Sequence, residues 1–227
     1  MHDPRDSNWQ IVKRILRYLK HIIFGGLFLS KNSTLQLHGF TDADWAGDSD
    51  DRRSMGSYYV FLGSNLVSWS CKQQATVARN STEAEYKSLP NTIAEIQWLQ
   101  NLLSKLDFEH IMPPIIWCDN IGATYLSANP LFHACTKHIE IDFHFVRDQV
   151  IFGKLKVKFL SSKDQLADIM TKPLATALFK FLSHNLNVRE LLLRLRGRVE
   201  EQVSHSIEEQ VNQSKMETVD TKTIKIP

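Results

Sequence analysis

The sequence predicts an α/β fold: a five-stranded mixed sheet, with three antiparallel strands and two parallel strands, covered by helices on both faces. Three strand-like segments come first, a long helical segment follows, and two more strand-like segments alternate with helices. A long helical crossover favours parallel pairing of the strands that it connects. The later alternation of strands and helices favours a sheet that is covered on both faces.

The composition is that of a globular protein. The 227 residues carry ordinary apolar and charged fractions, and the formal net charge is only +2. Contact with nucleic acid therefore requires a local basic patch. The three cysteines lack CxxC spacing, and no signal peptide or membrane-length apolar run is apparent. These features predict an intracellular protein, in the cytoplasm or the nucleus, without a membrane partner.

Residues 8–29 are predicted to form an amphipathic helix that ends at Gly25-Gly26. Its apolar residues recur at helical spacing, and Lys13, Arg14, Arg17 and Lys20 lie on the opposite face. The basic face indicates either contact with phosphates or an ordinary solvated surface.

The strands and helices follow from local patterns. Alternation and turn residues predict an antiparallel meander over Leu35–Trp45, Tyr58–Leu62 and Leu66–Trp69. Helical spacing of apolar residues predicts a long helix from Ser81 to Leu106, and the apolar run Ile115–Cys118 predicts a buried strand. The remaining predicted elements are a short helix after Asp119, a helix over Ile141–Val150, a strand over Leu155–Leu160, and helices over Gln165–Thr171 and Thr176–Leu182.

These patterns divide the chain into three regions. Residues 1–33 form the basic helical segment, residues 34–188 form the sheet domain, and residues 189–227 form a polar tail. Beyond Leu195 the chain lacks aromatic residues and is rich in Glu, Gln, Ser, Lys and Thr, so we expect this tail to be poorly ordered.

Four acidic clusters stand at the ends of apolar runs or on a helix face. They lie in Phe40–Trp45, Thr82–Tyr86, Trp117–Asn120 and Asp164–Asp168. Buried carboxylates need a compensating cation, and hard oxygen ligands suit Mg²⁺. Two such ions can activate a water and stabilise the leaving oxygen in phosphodiester hydrolysis. The clusters therefore predict a metal site.

The long helix offers two acids, and helical geometry separates them. Glu85 lies about 40° from the inward position of Leu89, whereas Glu83 lies about 120° from it. Glu85 is therefore the better candidate ligand. Each acid has an alternative role in a capping box, Glu85 with Thr82 and Glu83 with Asn80.

The other candidate acids lie on strands or near them. Asp42 falls on the first predicted strand, and Asp119 ends its parallel neighbour, so the two can face each other. Asp168 on a late helix supplies a fourth acid. Strand alternation does not distinguish Asp42 from Asp44, because both point to the same face of an ideal strand.

Several motifs together resemble the ribonuclease H domain of copia-type retrotransposon Pol polyproteins of plants. The motifs are Phe40–Asp48, Ser81–Tyr86, Trp117–Asn120, Thr136–Ile139 and Asp164–Ile169. The resemblance runs from about residue 8 to residue 185, because Trp9–Leu19 resembles the segment that joins the reverse transcriptase to this domain.

The resemblance implies a ribonuclease H fold, with Asp42, Glu85, Asp119 and Asp168 as catalytic residues and metal ligands. It selects Asp42 over Asp44, which would then tune the site or cap the following turn. The implied reaction is hydrolysis of the RNA strand of an RNA–DNA hybrid with two Mg²⁺ ions, or Mn²⁺ in their place. A separate reverse transcriptase polymerase domain is a further implied partner.

Basic residues near these motifs are candidate contacts to nucleic acid. They are Arg52, Arg53, Lys72, Arg79, Lys137, His138 and Arg147. Lys137 and His138 match a motif of the family. Each basic side chain has the alternative of a solvated surface charge, and His138 that of a packed histidine. The hybrid would be recognised by its 2′-hydroxyls, without reading of bases.

Two departures from the family pattern support an alternative function. Pro90 lies inside the long helix, where it predicts a kink that displaces Glu85, and Cys135 stands where the family has an arginine. The alternative is a catalytically inactive retroelement relic that at most binds nucleic acid. A DDE-type transposase is less favoured, because such enzymes rely on two aspartates and a late glutamate.

Overall fold

The structure is a computed structural model that describes residues 6–108, 112–129 and 140–190. Helices and strands alternate along the chain largely as the sequence predicts. In chain order the elements are α1 (Asp6–Ile22), β1 (Gly25–Leu27), β2 (Leu37–Ala43), β3 (Met55–Leu62), β4 (Asn65–Gln73), α2 (Ser81–Lys105), β5 (Ile115–Cys118), α3 (Ile121–Ala128), α4 (Glu140–Ile151), β6 (Lys156–Phe159), α5 (Asp168–Thr171), α6 (Thr176–Asn185) and β7 (Val188–Glu190).

The central sheet has five strands in the order β4-β3-β2-β5-β6. Strands β2, β3 and β4 pair antiparallel, whereas β5 is parallel to both β2 and β6. The predicted mixed sheet of three antiparallel and two parallel strands is confirmed. The crossover through α2 is long enough to return the chain parallel to β2.

Helix α2 lies directly on β2. A Cβ on Gly39 would lie 3.0 Å from Cγ2 of Thr92 and 3.2 Å from Cδ1 of Ile96, so the absence of a side chain permits this close approach. The predicted inward residues Leu89, Ile93 and Ile96 are fully buried. The core on this face joins them to residues of the sheet and of α4, including Val60, Ile116, Phe143 and Val146.

Helix α2 runs through Pro90 without interruption. Proline lacks an N–H, so the carbonyl of Tyr86 loses its helical donor, yet the helix continues for four turns beyond that point. The predicted displacement of Glu85 does not occur, because Glu85 remains buried beside the strand aspartates.

The opposite face of the sheet is covered by α5 and α6. A second core there contains Tyr59, Phe61, Leu66, Leu166, Ala167, Leu182 and Leu186. Helices therefore cover both faces, as predicted. This second layer matters for the site because it carries Asp168.

The predicted N-terminal helix is too long. Helix α1 ends at Ile22, because Gly25–Leu27 form β1, which pairs antiparallel with β7 in a separate two-stranded sheet that the sequence did not predict. Tyr18 of α1 packs edge-on against Phe179 of α6, with ring centroids 6.1 Å apart. Much of the apolar surface of α1 is exposed, including Trp9, Ile15, Leu16 and Leu19.

Some predictions concern residues outside the described ranges. These are the candidate contacts Lys137 and His138, the departure at Cys135, and the polar tail from residue 191 onward. Within the described residues, no helix has the length and apolar character needed to cross a membrane.

Candidate active site

Strand register brings Asp42 and Asp119 to the same end of β2 and β5. Thr41 of β2 pairs with Cys118 of β5, and each is followed by an aspartate. Asp42 is completely buried, and the side chain of Asp119 is 8% exposed. Two acids from distant parts of the chain therefore become neighbours.

Glu85 completes this cluster from α2. Its side chain is buried, and carboxylate oxygens of Asp42, Glu85 and Asp119 all lie within 4.8 Å of one another. Neighbouring Glu83 has a different role: the side chain of Asn80 caps its N–H at 2.8 Å, and its own carboxylate pairs with Lys87 at 2.8 Å. Glu85 is therefore the inward-facing glutamate, as its angle to Leu89 predicts.

Asp44 does not join the cluster, because β2 ends at Ala43. Its carboxylate accepts a hydrogen bond from the backbone N–H of Met55, and its own N–H donates to the carbonyl of Met55 at 3.1 Å. Asp44 therefore fixes the connection between β2 and β3. Ideal strand alternation did not reveal this because the strand stops one residue earlier.

Asp168 approaches from the other face, at the start of α5, and is paired with Lys172. The Nζ of Lys172 lies 2.8 Å from Oδ1 of Asp168, 3.3 Å from Oδ1 of Asp42 and 3.5 Å from Oδ2 of Asp119. The hydroxyl of Thr171 donates to Oδ2 of Asp42. Asp42, Glu85 and Asp119 thus form one cluster, and Asp168 is joined to it through Lys172, which lies between Asp168 and the other two aspartates.

Sequence reasoning missed three side chains of this site. Lys172 and Thr171 were not singled out, and neither was Ser162, whose hydroxyl donates to Oδ2 of Asp119 at 2.9 Å. The available signal was the spacing of Asp168 and Lys172, one helical turn apart. Such pairs usually lie on solvated surfaces, so the spacing alone does not indicate a role.

Crowding of like charges changes the acidity of the site. Burial, followed by the charges of Asp42 and Asp119 and a hydrogen bond to Asp42, raises the pKa of Glu85 to about 10. Burial also raises the pKa of Asp168 to about 6, although the hydrogen bond from Lys172 opposes that shift. Burial disfavours the charge of Lys172, but Asp168, Asp42 and Asp119 together raise its pKa. The single positive charge of Lys172 therefore does not balance the carboxyl groups gathered around it.

The residues fit a divalent cation. Oε2 of Glu85 is buried and has no hydrogen-bond partner among the described residues. Such an orphaned acceptor is costly unless a donor or a cation satisfies it. The donor set consists of carboxylate oxygens, which suit Mg²⁺ or Mn²⁺ better than softer metals.

Comparison with known proteins places the chain in a family. It is 51% identical over 188 residues to the retrovirus-related Pol polyprotein from transposon RE2 of Arabidopsis thaliana, with 83% of this chain covered. It is also 38% identical over 177 residues to that from transposon TNT 1-94 of Nicotiana tabacum, with 76% covered. The chain belongs to the copia-type retrotransposon Pol family. It spans 13% of the length of each of these relatives.

No protein-family model matches the chain. Among solved structures, LC11-RNase H1, isolated from compost, covers 60% of this chain and 93% of its own at 12% identity, with a TM-score of 0.46.

The candidate nucleic-acid contacts of this Pol-family chain differ in their exposure to solvent and in the side chains that they contact. Arg52, Lys72 and Arg79 are exposed, and Arg53 is exposed beside Asp51 at 3.4 Å. Lys72 lines a groove of about 360 Å³ between β3, β4 and α2. Arg147 is half-buried: its Nη2 lies 2.8 Å from Nδ1 of His144, and its guanidinium lies over Phe143.

Proposed function

We propose that this domain is a metal-dependent endonuclease that hydrolyses the RNA strand of RNA–DNA hybrids. The observation that carries the proposal is the convergence of Asp42, Glu85 and Asp119 within 4.8 Å, with a buried carboxylate oxygen of Glu85 unsatisfied. Membership of the Pol family supports a nucleic-acid substrate. Hydrolysis would add water across a phosphodiester bond and leave a 3′-hydroxyl and a 5′-phosphate.

Asp42, Glu85, Asp119 and Asp168 would hold the metal, with two Mg²⁺ ions, or Mn²⁺, as the proposed cofactor. When bound, these ions supply positive charge that activates a water and stabilises the leaving oxygen. Burial of Asp42 and Glu85 keeps bulk water away from their carboxylates. The Ser162 hydroxyl orients Asp119, and the Thr171 hydroxyl orients Asp42.

The proposed substrate-binding surface is the groove beside the site. Ser57 pairs with Asp42 across β2 and β3 and is buried, whereas the more accessible side chains that line the groove include Ser70, Asn91 and Lys72. Small polar side chains suit contact with 2′-hydroxyls in the shallow minor groove of a hybrid, and a lysine suits phosphate. Arg52, Arg53 and Arg79 remain proposed phosphate contacts, as do Lys137 and His138 outside the described residues.

A polymerase domain is the proposed protein partner. The exposed apolar residues of α1 form a surface that an adjacent domain would bury, and the relatives are Pol polyproteins far longer than this chain. An RNA–DNA hybrid is formed inside cells, so we place the protein in the cytoplasm or the nucleus.

The second candidate is an inactive relic that at most binds nucleic acid. Two observations favour it: Pro90 removes one hydrogen bond from the helix that carries Glu85, and Lys172 pairs with Asp42, Asp119 and Asp168. A relic would retain the fold and the groove that Lys72 lines but would not cleave the hybrid.

Cleavage of an end-labelled RNA–DNA hybrid by the purified chain separates the two functions. We expect cutting of the RNA strand alone, dependent on Mg²⁺ or Mn²⁺ and abolished in Asp119→Asn. A folded protein that binds the hybrid without cutting it in either metal would support the relic.

A further inference from the structure

Lys172 reaches into the acidic cluster from the end of α5. Its ammonium contacts Asp168 at 2.8 Å, Asp42 at 3.3 Å and Asp119 at 3.5 Å. The side chain of Asp42 is fully buried, and those of Asp119 and Asp168 are 8% and 6% exposed. This arrangement differs from a surface ion pair, because three nearly buried carboxylates share one cation.

The backbone holds Lys172 in this place. Lys172 is the residue after α5, and its N–H donates to the carbonyl of Asp168 at 2.9 Å. Thr171 and Lys172 together engage both carboxylate oxygens of Asp42. The side chain of Lys172 is nevertheless 37% exposed, so its ammonium can move into solvent without opening the core.

Glu85 lies on the other side of the cluster. Among the described residues it makes no ion pair with Lys172, and its Oε2 is buried without a hydrogen-bond partner. Among the described residues, the Lys172 ammonium therefore pairs with Asp42, Asp119 and Asp168 but not with Glu85. The buried oxygen Oε2 of Glu85 is therefore left unsatisfied by these residues.

We propose that Lys172 is a tethered counter-cation that occupies one of the cation positions of this site. It holds Asp42, Asp119 and Asp168 together in the metal-free protein, and divalent cations compete with it. The inference rests on the proposed use of divalent metal. It adds that divalent cations bind more weakly than they otherwise would, because they must displace the Lys172 ammonium.

Calorimetric titration of the full chain with Mn²⁺ tests the competition. We expect Lys172→Met to bind Mn²⁺ at least about tenfold more tightly than the wild type, because a positive charge within 4 Å of the ligands is removed. Lys163→Met, at an exposed lysine in the turn before α5, is the matched control and should bind like the wild type.

Thermal unfolding in EDTA tests the second role. Lys172→Met should melt about 4 °C or more below Lys163→Met, and adding Mn²⁺ should close that gap. If Lys172→Met does not fold, Lys172→Met combined with Asp168→Asn removes the opposing charges together. That double variant should fold and still bind Mn²⁺ more tightly than Asp168→Asn alone.

The outcomes separate the two proposals. If the wild type and Lys172→Met bind Mn²⁺ with equal affinity, or melt alike in EDTA, the counter-cation is overturned while metal use stands. If neither protein binds Mn²⁺, the proposed metal use fails, and a lower melting temperature of Lys172→Met in EDTA alone would support the structural role.

Discussion

Thr41 on β2 pairs with Cys118 on β5 in parallel register, so that the residue after each of them is an aspartate at the same end of the two strands. This register places Asp42 and Asp119, two of the candidate metal ligands, next to each other. Helix α2 then brings Glu85 over that end, and α5 brings Asp168 from the opposite face. Four segments remote in sequence thus meet because of sheet topology.

Glu85→Gln should lower cleavage activity and raise the stability of the metal-free protein. Glu85→Gln removes a buried carboxylate that lies within 4.8 Å of Asp42 and Asp119. We expect cleavage of the hybrid to fall by at least about 100-fold. We also expect the free energy of unfolding of the metal-free protein to rise by about 1–3 kcal/mol, because burial and the neighbouring aspartates raise the pKa of Glu85 and so make folding costly, whereas glutamine has no charge to suppress. Rate assays and urea unfolding in EDTA measure the two effects.

Glu83→Gln is the matched control on the same helix. It should lower the free energy of unfolding by about 1 kcal/mol, because it removes the ion pair with Lys87, while cleavage stays near the wild-type rate. The assignment of the inward glutamate would be wrong if Glu83→Gln lost cleavage and Glu85→Gln kept it.

Pro90→Ala should stabilise the domain without changing its activity. The substitution restores a donor for the carbonyl of Tyr86 and removes the proline ring, which should raise the free energy of unfolding by about 1–3 kcal/mol. Cleavage should change little, because Glu85 already lies with Asp42 and Asp119. A large gain in cleavage would show instead that proline holds Glu85 out of place in solution.

His38 should make the domain less stable in acid. Its ring stacks on Phe61, with centroids 5.2 Å apart, and burial lowers its pKa. Because the unfolded chain binds the proton more readily, stability present above about pH 6.5 is lost as the pH falls through the folded-state pKa. His38→Leu should therefore lose less unfolding free energy between pH 7.5 and pH 5 than the wild type does.

The control for His38 is His184→Gln, which changes a histidine lining the same cavity beside Asp164. Urea unfolding at both pH values measures all three proteins. If His184→Gln flattens the pH dependence and His38→Leu does not, the acid sensitivity belongs to His184.

Lys72 should contribute to hybrid binding through phosphate. Lys72→Ala should weaken binding similarly for different base sequences, and the slope of log affinity against log salt should fall by about one. Arg53→Ala should have a smaller effect, because Arg53 already pairs with Asp51. Fluorescence anisotropy of a labelled hybrid at several salt concentrations measures both. An unchanged slope in Lys72→Ala would remove this residue from the interface.

The parts of the fold that depend on local patterns were predicted well. The strand Ile115–Cys118 has the predicted bounds because Pro113-Pro114 precede the apolar run and Asp119 follows it. Glu85 was selected over Glu83 because helix geometry fixes their angle to Leu89. The choice of Asp42 over Asp44 required family resemblance, since the reason for it is the end of β2 at Ala43.

The parts that depend on distant partners were missed. Strand β1 consists of Gly25–Leu27, and nothing in a three-residue segment with two glycines indicates a strand whose partner is Val188–Glu190. Lys172 was missed for a similar reason. Its local sequence indicates a solvated lysine, and only the fold brings it to Asp42 and Asp119.

The pairing of β1 with β7 determines how the domain would respond to mechanical tension. Gly25 pairs with Glu190 and Leu27 with Val188, so the flanking chain leaves both strands at the same end of the ribbon. Tension between the flanking segments would therefore peel these hydrogen bonds one after another instead of shearing them together. The five-stranded sheet is separate from this ribbon, so opening the ribbon would leave the hydrogen bonds of that sheet intact.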